Sequence, residues 1–158
     1  MNTSTRLHAL GAVLLLAAVP LAPALAAGDG EYAELVHERH ENFEEMGDAF
    51  SVIRDQLRGD APVDFAAQAE AAEVIRGFST QIPDWFPAGS GPDAGYDTDA
   101  LADVWENPQQ FSRLAEEFVP KAAALEDAVA TADLDDVEAA FRDAGGTCKS
   151  CHDSFRAD

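Results

Sequence analysis

Positive charge is scarce in this chain: ten Lys and Arg residues stand against thirty Asp and Glu, a formal net charge of −20. Such a surface repels nucleic acid and anionic lipid, which argues against both as partners. Diffuse acidity of this kind serves solubility first, and secondarily steers a basic partner protein. Cysteine is nearly absent, with two in 158 residues, so at most one internal disulfide is available. Beyond the first 26 residues nothing alternates like a half-buried strand, and there is no internal repeat or low-complexity tract apart from alanine-rich helix faces. No apolar run is long enough to make a bilayer span. The longest, Ala9 to Val19, is followed at once by Pro20 and Pro23.

That run reads instead as part of a leader. Met1 to His8 is polar and carries Arg6, the apolar core follows, and Ala24-Leu25-Ala26 offers small residues at the cleavage positions. This order is that of a secretory signal peptide over residues 1–26, with residues 27–158 as one exported, soluble domain lacking a membrane anchor. No cysteine lies near the cleavage position to accept a lipid.

The exported part shows four stretches of helical periodicity. Tyr32, Leu35, Val36, Phe43, Met46, Phe50, Ile53 and Leu57 recur at three- and four-residue steps, lapsing at Arg39-His40, and Gly59 to Pro62 ends the run. A second stretch runs from about Val63 to Ile82. Pro83 to Asn107 is irregular and rich in Gly, Pro and Asp, with a short helical turn expected near Ala100 to Trp105, capped by Thr98 or Asp99. Connections this long are usually functional or cross the end of a bundle. Asn107-Pro108 reads as a cap and first helical residue, and Pro120 inside the third helix is expected to kink it or mark an irregular turn. The fourth helix starts after Asp133 with the stripe Leu134, Val137, Phe141, Ala144, Cys148, Cys151 and Phe155. The expected class is all-α, an antiparallel four-helix bundle with a long second link.

The informative run is Cys148-Lys149-Ser150-Cys151-His152. Two thiols at this spacing suit addition across the vinyl groups of a haem, with the adjacent histidine ligating the iron from one side. On a helix, positions 148, 151, 152, 155 and 156 share a face, so thioethers, imidazole and Phe155 are expected to face the bundle core together. Two other readings stand beside it. A thioredoxin-style disulfide needs a βαβ context, which is missing. A zinc site needs a fourth ligand, for which His37 or His40 would have to serve.

The ending Cys148 to Arg156, CKSCHDSFR, resembles that of the cytochromes c prime, four-helix c-type cytochromes with the haem site near the C-terminus. Arg39 to Gly47 (RHENFEEMG), Phe86-Pro87-Ala88 and Val104-Trp105-Glu106 with Phe111 resemble the family's first helix, long connection and third-helix start. The resemblance spans essentially the whole exported part. It implies a periplasmic protein with one haem c attached through Cys148 and Cys151 and ligated by His152. It also implies that Phe43 sits over the opposite face of the haem, where electron-transferring relatives carry a methionine. With phenylalanine there the iron is five-coordinate and high-spin, cycles between ferric and ferrous states, and binds small neutral diatomic gases, nitric oxide above all, rather than acting as an enzyme.

Other residues enter with alternatives beside them. Met46 and His40 are rival ligands, read respectively as a packing residue and a solvated histidine. A methionine or histidine on the iron would make the chain a low-spin electron carrier with a docking partner. Arg156, one turn beyond His152, is implied to tune the proximal imidazole; otherwise it serves the helix dipole. Arg39 is implied to pair with a haem propionate; otherwise it pairs with Glu38 or Glu41 at the surface. Gly145-Gly146 would ease close approach of a macrocycle or merely loosen the helix. Homodimerisation is implied by the resemblance alone.

Overall fold

Two aspartates and one glycine set three of the helix boundaries. In a computed structural model, which describes residues 30–157, the helices are α1 Ala33–Arg58, α2 Phe65–Ser79, the single turn α3 Asp103–Glu106, α4 Pro108–Thr131 and α5 Leu134–Phe155. Short 3₁₀ turns lie at Ile82–Trp85 and Pro92–Ala94. The expected signal peptide falls on residues 1–26, outside the described residues. Asp64 caps α2 by accepting from Ala66 N and Ala67 N, and Asp133 caps α5 by accepting from Asp135 N and Asp136 N. Each such cap contributes about 1 kcal/mol. Gly59 ends α1 in the left-handed region, φ 78°, which costs a glycine nothing.

Three local expectations are corrected. The second helix stops at Ser79 rather than Ile82. Pro83 disfavours helical geometry in the residue before it, and Ser79, Thr80 and Gln81 side chains take the last carbonyls of α2 in place of backbone N–H groups. Neither Thr98 nor Asp99 caps a helix start: α3 follows Ala102 without a side-chain cap, and Asn107 donates back to Asp103 Oδ1 instead of capping α4. Helix α4 runs on through Pro120, which is exposed, so the carbonyl it fails to serve lies towards water.

The four long helices form an antiparallel bundle in which α4 packs closely on α2 and α5, and α1 on α2. The remaining seam, α1 against α5, is much thinner. Ile53, Ile75, Leu125 and Val137 are fully buried in the core, with Phe118 and Ala122 beside them. Residues 99–101 of the connection pair with the end of α5: Leu101 N donates to Phe155 O (2.9 Å) and Ala157 N to Asp99 O (2.8 Å). Among the described residues, no helix is long and apolar enough to cross a membrane.

Candidate functional site

The thin α1–α5 seam opens into a cavity of about 910 Å³, within the range of about 300–1,000 Å³ usual for cofactor sites. Helix α5 brings Cys148, Cys151, His152 and Phe155 to it, all on the expected stripe, and Arg156 reaches it from the extended residue just past the helix end. The stripe runs from core to solvent. Phe155 is buried and the two thiols are half-buried, whereas His152 and Arg156 are exposed. The imidazole thus stands at the cavity edge rather than in the bundle core, because α1 barely reaches α5 there and only a group filling the cavity would cover it.

Burial decides the electrostatics. It pushes the Cys148 thiol up to about 11, with Cys151 adding to the rise and a backbone hydrogen bond opposing it. Burial raises the Cys151 thiol as well. For the exposed His152 it is partial desolvation of the ring against the cavity edge, together with the Arg156 charge, that holds it below the usual histidine range, against the pull of Asp153. A neutral imidazole is the form able to ligate a metal.

The facing wall comes from α1. Arg39, His40, Phe43 and Met46 all line the cavity. Phe43 is held edge-on to Trp85 with centroids 5.1 Å apart and lies 6.2 Å from Phe86. The aromatic wall continues from Phe86 to Phe111 (4.8 Å) and Phe111 to Phe155 (5.4 Å), which reaches α5. Met46 is 6% exposed and packed into the core cluster. His40 is exposed and pairs with Glu44 at 3.5 Å, as His37 does with Glu41 at 3.3 Å. Among the described residues no group of three or more His, Cys, Asp or Glu side chains is placed to hold a metal ion, which leaves the zinc reading without its ligand set.

Arg39 fills the lapse in the first helix's apolar stripe as a buried cation, 3% exposed. It meets neither Glu38 nor Glu41. Its Nη1 donates to Trp85 O (3.2 Å) and Ser90 Oγ (3.4 Å), and its Nη2 to Ser90 O (3.3 Å) and Thr98 Oγ1 (2.9 Å). The guanidinium also stacks 4.5 Å over Phe86. Nε–H is the one donor with no partner among the described residues. Burial lowers the Arg39 pKa, and it remains charged.

Sequence reasoning missed three partners at this end. Ser90 and Thr98 receive Arg39, and Lys121 Nζ donates to Thr147 Oγ1 (2.9 Å) beside Cys148. One available signal was Gly91. A Cβ there would lie 2.7 Å from the Trp105 ring, whose Nε1 donates to Pro87 O (2.9 Å), so the connection must fold tightly at this point.

The site suits a haem. Two half-buried thiols one turn apart border a largely apolar cavity, a neutral-leaning imidazole adjoins them, and a buried cation with one unspent donor suits a carboxylate. Comparison with known proteins agrees. The cytochrome c′ family model matches residues 34–156. Cytochrome c′ of Cereibacter sphaeroides is 35% identical over 143 residues, covering 90% of this chain and 93% of that one. Among solved structures, cytochrome c prime from Shewanella frigidimarina aligns with a TM-score of 0.74 at 31% identity, over 81% of this chain and 98% of that one. The nitric oxide complex of a point mutant of cytochrome c prime from Alcaligenes xylosoxidans aligns with a TM-score of 0.70 at 28% identity, over 79% and 95%. The chain belongs to the cytochrome c′ family.

Proposed function

We propose that this chain is an exported, periplasmic cytochrome with one haem c joined through Cys148 and Cys151, His152 as the iron ligand, and a gas-binding face beneath Phe43. The observation that carries the reading is Phe43 itself: the side chain wedged between Trp85 and Phe86 on the cavity wall facing α5 has no atom able to bind iron. When bound, the haem supplies a one-electron redox change and an open coordination position. The chain's residues do the rest. Phe43, Phe86 and Phe111 line the cavity with apolar surface, which favours small neutral ligands such as nitric oxide over charged ones. The solved nitric oxide complex of a relative supports that ligand. Arg39 Nε–H offers its remaining hydrogen bond to a propionate, and Arg156 lies one turn from His152, where its charge lowers the proton affinity of the imidazole. The role is reversible binding with redox cycling, not turnover of a substrate.

The test is an optical spectrum of the purified protein, ferric and ferrous, before and after nitric oxide. A high-spin ferrous spectrum that changes with the gas supports the proposal. A low-spin spectrum indifferent to it points to Met46, which also lines the cavity, and to an electron carrier. Phe43→Met should move the spectrum towards low spin and slow or block gas binding; no change would remove Phe43 from the iron's open face.

A further inference from the structure

Arg39 and Arg156 hold matching places on opposite walls of the cavity. Arg39 precedes Phe43 by one turn of α1, and Arg156, the extended residue that caps α5, follows His152 by four residues with its N–H on His152 O. Adjacent residues of the long connection grip them: Thr98 Oγ1 accepts from Arg39 Nη2 at 2.9 Å, and the Asp99 carboxylate pairs with Arg156 Nη2 at 3.7 Å. The Asp99–Arg156 pair is exposed and weak by itself. The backbone gives the grip its strength, since Asp99 O and Leu101 N bond to Ala157 N and Phe155 O across the end of α5. Thr98 Oγ1 also accepts from Ala100 N (3.2 Å), so the hydroxyl that holds Arg39 shapes the backbone that holds α5.

We propose that Thr98 and Asp99 are positioning residues that tie the Phe43 wall to the His152 wall, so that a displacement of Arg39 is felt at the proximal imidazole and a displacement of Arg156 at the gas-binding face. This rests on the haem reading above. The physical basis is shortness: one peptide unit separates the two grips, and the backbone from Asp99 to Leu101 is itself hydrogen-bonded to Phe155 and Ala157 at the end of α5.

The test compares wild type, Thr98→Val, Thr98→Ser, Asp99→Asn and the Thr98→Val/Asp99→Asn double variant, expressed with haem-attachment machinery. Two readouts separate the walls: the ferrous iron–imidazole stretching frequency, and the association rate of nitric oxide. Thr98→Val is expected to shift the stretching frequency although it lies on the Arg39 side. Asp99→Asn is expected to change the association rate about threefold although it lies on the Arg156 side. Thr98→Ser should restore wild-type values for both. The double variant should fall short of the product of the two single effects, because the tie is cut only once. Variants that each move only their own wall, or that combine multiplicatively, overturn the proposal. Hydrogen exchange at the Leu101 and Ala157 amides judges the tie without reference to haem: Thr98→Val should speed both, and unchanged exchange overturns it. A wild-type preparation without haem defeats the functional reading alone, leaving the tie to be decided by exchange.

Discussion

The two ends of the bundle are built on different physics. At the closed end Ile53, Ile75, Leu125 and Val137 are fully buried, so side chains fill the space between helices. At the open end the helices part, and the wall is held by a buried arginine, loop carbonyls and an aromatic row bordering a void. Close packing makes the closed end self-sufficient. The open end uses directed hydrogen bonds because they keep a shape where no side chain fills the middle.

The largest effect is expected where packing alone does the holding. Leu125→Ala should cost about 2–5 kcal/mol in denaturant unfolding while leaving the haem spectrum near wild type. A spectral change of the size caused by Phe43→Met would erase the distinction between the ends. Arg39→Met removes the donor from Trp85 O, Ser90 O and Thr98 Oγ1. It should cost about 1–3 kcal/mol, with faster hydrogen exchange confined to the connection and the end of α5. Exchange rising equally in α2 would show that the open end is not a separate unit.

A pH dependence sharpens the contrast further. In the haem-free chain the folded Cys148 thiol titrates near 11, above its ordinary value of 9.0, so the folded state holds the proton more tightly than the unfolded one. The stability this contributes is complete below about pH 9 and is lost as pH rises through about 11. Unfolding of the haem-free protein across that window should show the loss, and the haem-attached protein, with thioethers in place of thiols, should not. The smallest effect belongs to the closed end's one polar anomaly. Gln68 Nε2 donates to Gln56 Oε1 (3.0 Å), but Gln68 Oε1 is buried without a partner among the described residues. Gln56 Oε1 keeps Asp64 N as a donor without it. Gln68→Met should therefore change stability by less than about 1 kcal/mol, in either direction. A large loss would mean that the unpaired oxygen is satisfied by a water the closed end depends on.

The closed end was the more legible of the two. Its apolar residues recur at helical spacing, and Asp133 and Gly59 mark boundaries where the structure has them. The run from Cys148 to His152 was equally plain, since Cys148, Cys151 and His152 are close in sequence and a helix alone brings them to one face. The sequence presents Arg39 as a propionate partner by resemblance or as a surface ion pair, and Thr98 and Asp99 as caps. Their principal partners lie far along the chain, and local spacing carries no information about them.

By itself, then, the sequence determined the four helices, the all-α class and the placing of two thiols and an imidazole on one stripe, because each depends on periodicity or on neighbours within a turn. Only the tertiary structure decided that α1 and α5 stand apart to leave a cavity, that His152 lies at its edge, and that residues 98 and 99 join its two walls. Those features follow from how the helices meet and where a long connection returns. They are set by contacts between residues tens of positions apart, which no local pattern encodes.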